Sequence, residues 1–213
     1  MESLAVISGQ YKEVPRFSMQ QLLDCDLSND GCDGGWMYKA YNYTSVYGMM
    51  DFNDYPYKVS SNHSRCLYNS TRTTFKNKGM IQEKNMDNED LKAIVARQPV
   101  GVGIYTNKNF MFYKKGILTE EFLDCSDPSE PVNHGVTLIG YGRTKGDENM
   151  SQWCDEYWVV RNSWGEKWGE NGFFKLCMDN TGSDLVPYGT CQINRFPTYP
   201  TMEPHPIEKE ILV

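Results

Sequence analysis

Tyr157-Trp158-Val159-Val160-Arg161-Asn162-Ser163-Trp164-Gly165, followed closely by Trp168-Gly169-Glu170-Asn171-Gly172, is the stretch on which the fold of this chain turns. Its Val- and aromatic-rich half is a buried strand by composition. The strand ends at a polar amide, Asn162, with the indole of Trp164 two residues on. Period-two geometry predicts that both side chains leave the same face. Three glycines then let the chain turn back, and Phe173-Phe174-Lys175-Leu176 is the expected return strand. An amide beside an indole at the lip of a hairpin can hold a third polar group.

That group is sought upstream. Val132-Asn133-His134-Gly135-Val136-Thr137-Leu138-Ile139-Gly140-Tyr141-Gly142 predicts a strand that begins at a histidine. A His starting one strand and an Asn ending the next can meet across an antiparallel pair. The Asn162 amide oxygen would accept a proton from one imidazole nitrogen, and the other nitrogen would face a nucleophile. Trp164 would shield the bond from water, which strengthens it. A lone histidine is most often a satisfied core residue. Here amide, indole and glycines crowd one region, and a held imidazole is the better reading.

Working outward, Met1–Tyr11 carries the spacing of a helix interior without a cap. Ser18-Met19-Gln20-Gln21 is a capping box. Trp36–Tyr47 is a second helix ended by Gly48. Lys76–Glu83 is a linking strand, and Asp87 or Asn88 caps a helix with Leu91, Ile94 and Val95 inward. Val100, Val102 and Ile104 alternate with glycines as a tightly packed strand, and Phe110–Tyr113 is an aromatic patch assigned to the core. The expected divisions are a helical lobe over 1–79, a β-rich lobe over 80–200 and a flexible tail over 201–213.

Composition excludes several classes. The net charge is −7 with scattered Lys and Arg, unlike a nucleic-acid surface. No run approaches the roughly 18 apolar residues of a membrane span. The seven cysteines, Cys25, Cys32, Cys66, Cys125, Cys154, Cys177 and Cys191, show no zinc-type spacing, so neither metal nor other cofactor is expected. With four Asn-x-Ser/Thr sequons, at Asn42, Asn62, Asn69 and Asn149, they favour a disulfide-bonded glycoprotein of lysosomal or extracellular history. No signal peptide is evident in Met1–Ile7.

Asn133-His134-Gly135-Val136, Arg161-Asn162-Ser163-Trp164-Gly165 and Trp168-Gly169-Glu170-Asn171-Gly172 resemble the His and Asn regions of papain-like, cathepsin L-like cysteine peptidases. Ser18–Asp26 and Gly31-Cys32-Asp33-Gly34-Gly35 resemble that family's substrate-side loop, and Gly189-Thr190-Cys191 with Tyr199-Pro200 its C-terminal end. The resemblance runs in order through most of residues 1–200. It implies an α+β fold of two lobes, one helical and one an antiparallel β-barrel-like lobe, with the active-site cleft between them.

By that resemblance His134 is the general base, Asn162 its orienting partner and Trp164 the shield. Gly34 and Gly35 offer backbone to an extended substrate. Trp36, Met37, Val132 and Asn133 line an apolar pocket for the residue two before the scissile bond, with Phe196 near its base. Disulfides Cys25–Cys66 and Cys125–Cys191 carry over, while Cys154 and Cys177 flank the hairpin as a third bridge. Cys32 is left unpaired. The family's nucleophilic Cys and oxyanion Gln match no residue here; they would align upstream of Met1, so truncation is expected. The implied function is a cysteine endopeptidase domain working through a Cys-His-Asn acyl-enzyme, inactive as written. The alternative is a non-catalytic binding module or assembly subunit. Expected partners are peptide or protein substrates and a propeptide or protein inhibitor, with no nucleic acid.

Overall fold

In the computed structural model, described over residues 1–58, 65–125, 127–144, 154–178 and 187–203, the helices are α1 (Glu2–Ile7), α2 (Met19–Cys25), α3 (Met37–Tyr47), α4 (Asn88–Val95) and α5 (Glu120–Leu123). The strands are β1 (Met49–Met50), β2 (Thr73–Phe75), β3 (Gly79–Gln82), β4 (Val100–Ile104), β5 (Ile117–Leu118), β6 (His134–Arg143), β7 (Glu156–Arg161), β8 (Phe173–Cys177) and β9 (Thr198–Thr201). The chain separates into two compact units, residues 1–81 with 199–213, and residues 82–198.

In the first unit, Ser18 caps α2 by accepting the Gln21 N–H at 3.0 Å. The reciprocal half of the capping box is not made. The Gln21 side chain instead accepts from Met50 N–H at 2.8 Å and donates to Gly48 O at 2.8 Å, stitching α2 to β1. A buried amide satisfied by two backbone groups outweighs one local cap bond. Helix α3 ends where Gly48 takes φ +72°, a left-handed conformation that glycine adopts without steric cost. Leu4, Ala5, Phe17, Met49 and Phe75 form the core, with the Phe17 and Phe75 rings stacked at 5.5 Å. Strand β3 neighbours β9, which carries Thr201, while residues 204–213 lie outside the described residues.

In the second unit the strand order is β4-β6-β7-β8-β5. Along β7, Trp158 and Val160 are buried while Arg161 is exposed, so the apolar run alternates and is not buried throughout. Val100, Val102, Ile104, Val136, Leu138, Phe174 and Leu176 complete this core. Asp87 caps α4 through a bond from Asp90 N–H at 2.8 Å, and Leu91, Ile94 and Val95 face inward. The α+β expectation holds, with a large sheet that is not a closed barrel and not wholly antiparallel: β5 has β8 as its sole strand neighbour among the described residues, and that pairing is parallel. The sheet is open and mixed. Two residues of β5 are too few to carry the ladder on to closure.

Three disulfides join Cys25 to Cys66, Cys125 to Cys191 and Cys154 to Cys177, and Cys32 is an exposed free thiol. No described helix is long and apolar enough to cross a membrane.

Candidate active site

The base region is built on the β6–β7–β8 meander. His134 opens β6 opposite Ile104 of β4, and the pairing is extended upstream by Asn133. Asn133 N–H donates to Ile104 O at 3.0 Å, while its side-chain amide accepts from Thr106 N–H and donates to Thr106 O, each at 2.9 Å. The Asn133 side chain therefore acts as one more ladder rung. Val132 packs over Gly103, where an added Cβ would come 3.1 Å from Val132 Cγ2.

Strand β7 stops at Arg161, so Asn162 and Trp164 lie in the following turn. The period of two therefore ends one residue before Asn162, and it is the backbone after the strand that brings both Asn162 and Trp164 to the histidine. Asn162 Oδ1 lies 2.9 Å from His134 Nε2 and also accepts the Ser163 N–H at 2.7 Å. The Ser163 bond settles the amide's orientation, since a backbone N–H requires an oxygen opposite it. Nε2 must then carry the shared proton, and Nδ1 is the nitrogen left to act as base. Asn162 is 7% exposed, so the bond is made in a low dielectric.

The shield is an aromatic cluster. The Trp164 ring sits 5.1 Å from the His134 ring, and Phe110 approaches both edge-on, at 6.0 Å from His134 and 5.4 Å from Trp164. Trp168 packs on Trp164 at 5.2 Å and donates its indole N–H to Met111 O at 3.2 Å. The patch assigned to the core divides: Phe110 and Tyr113 are buried, whereas Met111 and Phe112 are exposed. The turn beneath is held by Glu170. Its Oε1 accepts from Tyr113 OH at 2.8 Å and Gly116 N–H at 3.1 Å, and its Oε2 pairs with Lys175 at 3.2 Å. Burial pushes the Glu170 carboxyl up, but the Tyr113, Lys175 and Gly116 hydrogen bonds together outweigh it and hold the carboxyl below its usual range. Gly169 takes φ +57°, and a Cβ there would lie 2.6 Å from Phe173 O, so this turn requires glycine.

The segment leading to Asn133 is clamped by residues that sequence reasoning missed. Gln192 Nε2 donates to Asp127 O at 3.0 Å and Glu130 O at 2.9 Å, and its Oε1 accepts from Arg195. Cys191 and Gln192 both have positive φ, +52° and +65°. No local pattern announces such a pair of non-glycine residues; Cys191 is bridged to Cys125, and the Gln192 bonds hold the rest.

Gly34, Gly35, Trp36 and Met37 belong to the first unit. There Asn29 Oδ1 accepts the Trp36 N–H at 2.7 Å, and a Cβ on Gly35 would collide with the Asn29 side chain. The N–H and C=O of Gly35 bond to no described residue. Phe196 is half-buried against the Arg195 guanidinium, 5.3 Å from its ring centroid. Among the described residues no cluster of His, Cys, Asp and Glu has the form of a metal site.

A paired imidazole and amide under an indole define the class by geometry, and sequence comparison then supplies the family. The profile described as "Papain family cysteine protease" matches residues 1–201. The chain belongs to that family. It is 33% identical over 216 residues to ananain of Ananas comosus, covering 96% of this chain and 55% of ananain. With cathepsin K of Mus musculus it shares 33% identity over 207 residues, covering 94% and 56%. The bromelain protease of Ananas comosus, solved with the inhibitor E64, superposes with a TM-score of 0.77 and 31% identity over 95% of this chain and 84% of that one. The ragweed pollen cysteine protease Amb a 11, solved as its proform, gives a TM-score of 0.75 at 30% identity over 95% and 56%. The chain spans about half the length of the curated relatives it matches.

Proposed function

We propose that this chain carries the base half of a cysteine endopeptidase that cleaves through a Cys-His-Asn acyl-enzyme. The observation behind the proposal is the 2.9 Å contact between His134 Nε2 and Asn162 Oδ1, with the amide oriented by Ser163 N–H. In the mechanism a thiolate paired with the His134 imidazolium attacks the peptide carbonyl carbon. His134 Nδ1–H then protonates the leaving amine, and water, deprotonated by Nδ1, releases the acyl group. Asn162 keeps the proton on Nε2 throughout, and Trp164 keeps water from that bond.

Substrates on this reading are extended peptides with an apolar residue two before the scissile bond. In the first unit Gly34 and Gly35 would bond the peptide backbone and Trp36 and Met37 would contact its side chains; in the second unit Val132 and Asn133 would be substrate contacts. The bare main chain of Gly35 and the packing of Val132 on Gly103 support those roles. Proforms among the similar structures support a propeptide as partner. Three disulfides suit an oxidising compartment, lysosomal or extracellular.

The same reading makes a polypeptide of these 213 residues inactive by this route. Six of its seven cysteines are bridged, and the resemblance places Cys32 at a structural position. The second reading is a non-catalytic peptide-binding module, in keeping with Cys32 as the one free thiol among the described residues.

Imidazole nitrogen NMR tests the site, with His134 assigned through His134→Gln. The neutral ring should carry its proton on Nε2, and Asn162→Ala should redistribute it between the nitrogens. A parent protein with the proton on Nδ1 overturns the proposal. A pre-steady-state burst on a peptide ester would overturn the inactivity.

A further inference from the structure

Two of the four sequons fall on described residues, and the fold treats them differently. Asn42-Tyr43-Thr44 lies within α3. Residues two apart on a helix do not face each other. Asn42 is accordingly exposed, while Thr44 is buried and its hydroxyl donates inward to Asn77 Oδ1 at 2.8 Å. Asn69-Ser70-Thr71 instead begins a single 3-10 turn, with all three residues exposed. Asn69 Oδ1 accepts the Thr71 N–H at 3.0 Å and the Thr71 hydroxyl at 2.9 Å. Asn69 Nδ2 bonds to no described residue. The amide and the hydroxyl two residues on, which a glycan-transferring enzyme reads together, thus meet on one face at Asn69. At Asn42 they are separated by the helix.

We infer that Asn69 is an N-glycan acceptor and that folded α3 closes Asn42 to the same chemistry. Asn69 Nδ2 attacks the anomeric carbon of an oligosaccharide carried on a lipid diphosphate. The N–C bond forms, the C–O bond to the diphosphate breaks, and the lipid diphosphate leaves with the electron pair, while the one proton lost by the amide nitrogen passes to the departing diphosphate or to solvent. The inference rests on the oxidising, secretory location proposed above.

The test secretes the full chain from eukaryotic cells behind a cleavable signal peptide, in an Asn62→Gln, Asn149→Gln background that leaves two sequons. Enzymatic deglycosylation in heavy-oxygen water marks each occupied Asn as labelled Asp. Asn69 should be labelled and Asn42 not. Asn69→Gln and, separately, Thr71→Ala should each remove one glycan's worth of gel mobility, and Asn42→Gln none. An unlabelled Asn69 in a product with a single free thiol overturns the inference, because that thiol count shows passage through the oxidising compartment. Occupancy of Asn42 equal to that of Asn69 overturns it too. Should the recombinant chain carry the glycan while the chain from its natural cells does not, the location fails and the site stands.

Discussion

Tyr113 and Glu170, 57 residues apart in sequence, meet through a 2.8 Å bond from the phenol to the carboxylate, directly beneath the turn that carries Trp164 and Trp168. Burial and the carboxylate's preference for a protonated neighbour push the Tyr113 hydroxyl above its usual range, so it stays a donor at any physiological pH. The carboxylate in turn stays ionised. Its folded value lies below the ordinary 4.5, so its contribution is present above that value and is lost as pH falls through the folded one. Glu170→Gln should therefore cost about 1 kcal/mol near neutral pH, and the gap to the parent should close on acidification. Denaturant titrations at about pH 7 and about pH 3 check this; a gap that widens in acid contradicts it.

Lys92 is the largely buried tie between α4 and the β6–β7 hairpin. Its ammonium lies 3.0 Å from Glu156 and is also paired with Glu89, while Arg143 meets the other Glu156 oxygen at 2.6 Å. The Lys92 bond first, and Arg143 second, hold the Glu156 carboxyl below its usual range. Lys92→Ala removes both the packing of the stem and one partner of a half-buried carboxylate, at about 2 kcal/mol. Lys92→Met, which keeps the stem, should cost less. Equal losses in thermal unfolding would show that the charge, and not the stem, carries the contact.

Phe110 is fully buried and touches His134, Trp164, Trp168 and Phe174. Phe110→Ala should cost about 3–5 kcal/mol through the cavity it leaves. Phe110→Leu should fold and yet loosen the indole, shifting Trp emission to the red and speeding exchange of the His134 Nε2 proton. Parent-like exchange in that variant would restrict Phe110 to a packing role.

Cys32 is the one free thiol among the described residues, and it is exposed. A maleimide should label the folded, unreduced chain once, and peptide mapping should place the label on Cys32. Labelling elsewhere, or at several cysteines, would contradict the three disulfides.

Much of this architecture rests on interactions between near neighbours in sequence, and these were legible. Ser18 and Asp87 cap helices with N–H groups three residues away, and Gly48 relaxes the end of α3. The pairing of His134 with Asn162 was also foreseen, because amide, indole and glycines cluster in one motif. Tertiary structure decided the rest. It fixed which His134 nitrogen meets Asn162 and oriented the amide through Ser163 N–H. It turned Asn133 toward Thr106, took Gln21 away from its capping box, and split the aromatic patch so that Phe110 braces the histidine while Phe112 faces solvent. It also left the sheet open at β5. Each of these outcomes depends on which groups compete for the same hydrogen bond or buried space. Those competitors come from segments tens of residues apart, whose meeting no local pattern of propensity specifies.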